Sequence, residues 1–325
     1  MSGASEVTLV KLGGSLLTDK TAVDAVRPDQ LARLAKEIAS VVARPAAAGA
    51  TAAAPAASKT GEAAAEAREG PAAGAGPAAG AGAAGAGALV VAHGSGSFGH
   101  VAAHRYGLAG GLRSDAQLAG VSLTQERAAT LHLQVCAAFA AAGLHPWSLA
   151  PSSAVVAAGG RPLRMGVEPL LLALERRLLP VLYGDVVLDR EQGVAICSTE
   201  RLIELLTREL PAHGLHVRRV LWLGETDGVY DAAGHTVPRL APGDLERHGE
   251  LGGAIGGAAG TDVTGGMRHR VETALALAAR GVPSLIANGT IPGLLAAALR
   301  GEAVPGTVVV AGAGAEIPRE AEAEP

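Results

Sequence analysis

Val90-Val91-Ala92-His93-Gly94-Ser95-Gly96-Ser97-Phe98-Gly99-His100 reads as a short apolar strand feeding a loop of three glycines and two serines that ends on a histidine. Glycines let backbone N–H groups approach an anion closely and adopt φ > 0 without a Cβ clash. A loop of N–H donors at a strand end is a phosphate cradle, and a histidine at its far end can donate a further hydrogen bond to a phosphate. A second loop of this kind follows the apolar run Val7–Val10, in Lys11-Leu12-Gly13-Gly14-Ser15. A third is Gly260-Thr261-Asp262-Val263-Thr264-Gly265-Gly266-Met267. Three such loops point to a protein that handles several phosphates at once.

Around these loops, strands alternate with helices. Strands are expected at Val7–Lys11, Leu89–His93, Leu179–Tyr183, Arg219–Gly224, Ser284–Asn288 and Thr307–Val310. Helices are expected at Pro28–Val42, Ser122–Ala142, Thr199–Glu209 and Gly266–Ala279, with a short one entered at Ala150–Val156. The alternation predicts an α/β fold, an open, mostly parallel sheet flanked by helices in three αβα layers. Ligands of such sheets bind outside the carboxyl ends of the strands. Lys11, His93, Gly184 and Gly224 all stand at or just after such ends.

Composition narrows the partners. The chain has 325 residues, with 27 basic and 31 acidic side chains for a net charge of −4. That balance gives no electrostatic case for nucleic acid, and 2% aromatic residues leave little for base stacking. The two cysteines, Cys136 and Cys197, show no metal spacing and fit a reducing compartment; Cys136 lies in an apolar helical run and is read as core. No signal-peptide pattern or bilayer-length run of large apolar residues is found, so a cytoplasmic protein without membrane contact is expected. Residues 45–88 are almost wholly Ala, Gly, Pro, Ser, Thr and Glu, which reads as a disordered insertion. Residues 314–325 read as a frayed acidic tail.

Lys11-Leu12-Gly13-Gly14-Ser15 followed by Thr18-Asp19-Lys20 resembles the opening of the amino acid kinase superfamily. Within it, His93–His100 and Thr261–Met267 resemble the isopentenyl phosphate kinases, with Tyr183-Gly184-Asp185 and Thr226–Asp231 in matching order. The resemblance implies one amino acid kinase-like domain formed by residues 1–44 and 89–313. It implies transfer of a phosphoryl group from ATP, carried with Mg²⁺, to isopentenyl phosphate, by a homodimer with no protein ligand to the metal. Lys11, Lys20 and His100 are the implied catalytic residues. Lys11, Gly13, Gly14, Ser15, Gly96, Asp227, Gly228, Tyr230, Gly265, Gly266 and Arg270 are implied for the nucleotide. Ser95, Gly99, His100, Gly184 and Asp185 are implied for the acceptor, with Asp185 near the nucleotide end, where it orients Lys11. The prenyl tail needs an apolar pocket, for which Leu118–Ala141 is a candidate lining; Leu131 and Phe139 are among its bulkiest apolar residues, and periodicity leaves open whether their stripe faces that pocket or the sheet as ordinary core.

Four departures stand out. Ser95 replaces a glycine of the family pattern, Glu225-Thr226 precede the Asp-Gly turn in place of Asp-Val, Arg270 replaces a lysine, and Ser198-Thr199-Glu200 replaces Ser-Gly-Asp. Two other readings remain at this point: a kinase for fosfomycin or a small carboxylate, and a nucleotide-binding regulatory module without activity. Intact Lys11, Lys20 and His100 weigh against the second.

Overall fold

The computed structural model describes residues 5–19, 24–42, 87–244 and 266–312. The first half of the chain supplies β1 (Ser5–Leu12), α1 (Gly14–Leu17), α2 (Pro28–Val42), β2 (Ala88–His93), α3 (Gly96–Arg105), α4 (Leu118–Ala141) and β3 (Pro146–Ser148). Then come α5 (Pro151–Ala154), β4 (Val155–Ala158), β5 (Arg161–Met165), α6 (Glu168–Glu175), β6 (Leu179–Tyr183), β7 (Asp185–Asp189), β8 (Gly193–Cys197) and α7 (Thr199–Glu209). The last part adds β9 (Leu215–Gly224), β10 (Arg239–Leu240), α8 (Gly266–Ala279), β11 (Ser284–Asn288), α9 (Leu294–Leu299) and β12 (Thr307–Val309).

The main sheet has eight strands in the order β10-β12-β11-β9-β1-β2-β6-β3. All its pairings are parallel except β11 with β12. Period-2 alternation along the central strands sends successive residues to opposite faces. Leu9, Val90, Val220 and Trp222 pack with the buried faces of α7 and α8. Val10, Val91, Leu221 and Leu223 pack with α2, α4 and α9. The result is the three-layer αβα arrangement expected from the sequence. Helix α2 shows why the local sequence complies. Pro28 occupies the first turn, Asp29 complements the helix dipole there, and Leu31, Leu34 and Ile38 form one buried stripe.

A second, four-stranded sheet, β5-β4-β7-β8, went unanticipated. Gly159 and Gly160, at φ +56° and +77°, turn β4 into β5. One other expectation needs correction, and one left open is decided. The first strand after the low-complexity stretch begins at Ala88, which pairs with Val7, so it reaches into the proposed insertion; residues 43–86 and 313–325 lie outside the described residues. Leu131 and Phe139 are fully buried in the core beneath α4, packed with Val10, Leu12, Phe98 and Val181. Of the two roles the sequence left open for this stripe, they take that of core.

Candidate active site

The chain leaves β6, β2, β1 and β11 through turns that are each tied sideways to the end of the neighbouring strand. Gly184 N donates to His93 O (2.9 Å), Gly94 N to Leu12 O (3.0 Å), Gly13 N to Leu223 O (2.8 Å) and Gly289 N to Gly224 O (2.8 Å). Each turn therefore donates to a carbonyl at the end of its neighbour and holds the carboxyl edge of the sheet in register. The strand order reverses across β1, since the chain builds outward to β2 and β6 before returning to β9 on the other side. Such a switch point opens a crevice.

Two glycine turns meet in it, backbone against backbone. A Cβ on Gly14 would stand 2.6 Å from Gly96 N, so no side chain fits there. Gly96 has φ +53° and its Cβ would strike Thr18. Thr18 joins the two sides, donating through Oγ1 to Gly14 O (2.9 Å) and accepting from Ser97 N (3.2 Å). Both α1 and α3 start at this junction. The first N–H groups of a helix have no acceptor within it, and the α3 dipole adds positive character there.

Charge enters from three elements. Lys11, the second-last residue of β1 and only 5% exposed, places Nζ 2.8 Å from Glu200 Oε1. Burial alone would raise the Glu200 carboxyl, but Lys11, with Arg270 and the local backbone, more than offsets this and holds it at about 2. Helix α7 carries Glu200 to Lys11 because Ser198 caps its start, accepting from Arg201 N (3.3 Å), while Thr199 Oγ1 donates to His93 O (2.9 Å). Arg270, buried on α8, lies against Gly224, where a Cβ would stand 2.8 Å from Nη1. Lys11 and Arg270 thus both bring positive charge to the Glu200 carboxylate at this edge of the sheet, a setting suited to an anionic ligand.

The structure gathers Lys11, Gly13, Gly14, Ser15, Ser95, Gly96, Gly184 and Arg270 at this edge. It corrects one of the two roles given to Asp185, the orienting of Lys11. That buried carboxylate accepts from Val186 N (2.8 Å) and Ser152 N (3.3 Å); burial raises its pKa, against these hydrogen bonds. The residue that holds Lys11 is Glu200, which sequence reasoning passed over as a departure from the family pattern. Nor does the Gly94 loop run on to His100. Helix α3 begins at Gly96, so His100 stands on an exposed position of that helix, five residues in. Gly99 faces the Ser95 side chain and Ala128 of α4.

Asp227, Gly228 and Tyr230 follow β9. Asn288 Nδ2 donates to Asp227 Oδ1 (2.8 Å) and Tyr230 Oη to Asp227 Oδ2 (3.4 Å). Gly266 opens α8. Lys20 and Gly265 lie outside the described residues. Cys136 is half-buried beside His132 and Cys197 is buried, both as free thiols. No described helix is long and apolar enough to cross a membrane.

Residues 79–288 match the model of the amino acid kinase family. The chain is 34% identical to the isopentenyl phosphate kinase of Methanothermobacter thermautotrophicus over 68% of this chain and 83% of that protein. It is 24% identical to the isopentenyl phosphate kinase of Methanocaldococcus jannaschii over 93% and 98%. A solved isopentenyl phosphate kinase structure superposes with a TM-score of 0.66 at 26% identity, covering 93% of this chain and 99% of the other.

Proposed function

Because this chain belongs to the amino acid kinase family, and within it to the isopentenyl phosphate kinases, we infer that it transfers the γ-phosphoryl group of ATP to isopentenyl phosphate, giving isopentenyl diphosphate and ADP. One observation carries the reading at the level of chemistry: the buried Lys11–Glu200 pair, 2.8 Å apart, beside two glycine turns packed too closely for any side chain.

Phosphoryl transfer asks a protein for positioning and for neutralisation of charge on the migrating group. An acceptor phosphate oxygen attacks the γ-phosphorus as the bond to the β-bridging oxygen breaks. Lys11 supplies a fixed positive charge, kept in one orientation by an ionised partner. The helix starts at Gly14 and Gly96 supply N–H donors, and Arg270 extends the positive field toward β9. Lys20 and His100 complete the proposal, Lys20 on the migrating group and His100 on the acceptor phosphate. Asp227, Gly228 and Tyr230 are assigned to the nucleoside end, and Ser95, Gly99 and Gly184 to the acceptor.

Magnesium is part of the same proposal as an ion carried on the nucleotide phosphates, where it neutralises their charge. Among the described residues, the carboxylate beside Lys11, Glu200, is already engaged by that ammonium, which fits an ion held chiefly by phosphate oxygens and water. A homodimeric, cytoplasmic enzyme is likewise proposed, and light scattering tests the dimer.

A coupled assay of ADP release with ATP and a panel of acceptors tests the function. Turnover with isopentenyl phosphate, and little with fosfomycin, glutamate or N-acetylglutamate, is expected. Preference for any of those three over isopentenyl phosphate overturns the assignment.

A further inference from the structure

Behind the acceptor loop lies a buried histidine pair that the transfer step does not use. His93, on β2, is fully buried, and His132, on α4, nearly so. His93 Nδ1 lies 3.1 Å from Gly94 O, His93 Nε2 lies 2.9 Å from His132 Nδ1, and His132 Nε2 lies 2.8 Å from Ser148 Oγ. The polarity of this chain follows from its end. A carbonyl only accepts, so His93 Nδ1 carries the proton, and His93 Nε2 then accepts from His132 Nδ1–H. His132 Nε2 is left to accept from the Ser148 hydroxyl. Burial lowers His93 to about 4 and His132 to about 3, so both rings are neutral near pH 7, as this chain requires. Tyr183 stacks on His132 at 4.3 Å between ring centroids.

His93 is also where three parts of the site meet. Its carbonyl accepts from Gly184 N and from Thr199 Oγ1, both at 2.9 Å, and Thr199 precedes the Glu200 that holds Lys11. Its ring bonds the Gly94 carbonyl. That carbonyl and the Ser95 N–H share one planar peptide, so holding the oxygen fixes the direction of the N–H. Ser95 N lies beside Gly184, where a Cβ would stand 3.7 Å from it.

We propose that His132 is a positioning residue for the acceptor-phosphate loop: through the His93 ring it sets the orientation of the Gly94–Ser95 peptide. The proposal rests on the acceptor assignment made above. It distinguishes the two edges of the His132 ring, of which only the Nδ1 edge bears on the loop.

His132→Asn and His132→Gln separate those edges. The Asn amide stands where Nδ1 was and still donates to His93; the Gln amide reaches the Nε2 position and Ser148. Both variants lose the stack on Tyr183, so that loss cancels in the comparison. His132→Asn should keep kcat/KM for isopentenyl phosphate within about threefold of wild type, and His132→Gln should lose about tenfold or more, with KM for ATP unchanged in both, because small displacements of positioning groups carry penalties of this order. Imidazole ¹⁵N shifts supply a second readout: His93 keeps its Nδ1–H tautomer signal in the Asn variant and loses it in the Gln variant. Equal losses in the two variants, or a better Gln than Asn variant, overturn the proposal. A wild-type protein inactive toward isopentenyl phosphate overturns the functional reading instead, and the tautomer signals still decide whether His132 orients His93.

Discussion

Replacing Glu200 by Gln removes one charge and almost no volume. In the wild type the carboxylate is buried against Lys11 at 2.8 Å, and its pKa falls from 4.5 to about 2 although burial pushes it the other way. That displacement corresponds to about 3 kcal/mol in favour of the ionised, paired state, in line with the roughly 3–5 kcal/mol lost when one partner of a buried pair is removed. The variant should therefore be less stable by about 3 kcal/mol at pH 7. Between pH 4.5 and about 2 the unfolded wild-type chain binds a proton at Glu200 that the folded chain does not. The wild type thus loses this contribution as the pH falls through that window, and the variant has nothing there to lose. The gap should hold from pH 7 to about 5 and narrow below that. Urea midpoints of both proteins across this range measure it. Turnover should fall by about tenfold or more in the variant, because the Lys11 ammonium no longer has a fixed direction. Equal midpoints at pH 7, or a gap that ignores pH, would refute the argument.

Lys11→Ala should cut turnover by about 100-fold or more, with native circular dichroism; a fall of less than about tenfold removes Lys11 from the transfer step. His100→Ala should raise KM for isopentenyl phosphate or lower kcat by an amount equivalent to roughly 2–4 kcal/mol, with ATP binding unchanged, and unaltered steady-state kinetics would end its assignment. Leu131→Ala should lower stability by about 2–5 kcal/mol without changing the ratio of geranyl phosphate to isopentenyl phosphate turnover; a shifted ratio would show that this side chain reaches the acceptor. Excising residues 48–86 should leave turnover and thermal midpoint near wild type, since Val42 and Gly87 line one small cleft with Glu6 and Leu299 and five residues remain to join them. Loss of soluble protein on excision would count against that expectation.

The elements with strong periodicity were legible to the residue. Pro28–Val42, Leu179–Tyr183, Thr199–Glu209, Gly266–Ala279 and Ser284–Asn288 form as the sequence implies. Where the signal was mixed, the ends moved. Strand β9 begins at Leu215 because Leu215 and Val217 continue the buried alternation, although His216 and Arg218 next to them look like loop. Strands β4, β5, β7 and β8 were missed because five-residue runs such as Arg161-Pro-Leu-Arg-Met carry little strand character, and they are held by pairing with partners that only the fold supplies. The Gly159-Gly160 pair was the available signal for the first hairpin.

The site divides along the same line. Glycine turns after apolar strands can be read from spacing, because each needs only its own strand and its own backbone freedom. The partner of Lys11 cannot, since Glu200 is 189 positions away and reaches Lys11 only once Thr199 has anchored α7 to His93 O. The sequence offers two carboxylates that follow strand-like segments, Asp185 and Glu200, and spacing favours the one next to Gly184. Sheet order decides otherwise: Asp185 opens β7 and turns to α5, whereas the capped start of α7 is pinned to the end of β2, the strand beside β1. A glutamate at that start bridges to the ammonium directly. The change from Ser-Gly-Asp to Ser-Thr-Glu therefore keeps an acidic partner for Lys11 and adds, in Thr199, the hydroxyl that fastens the helix beneath it.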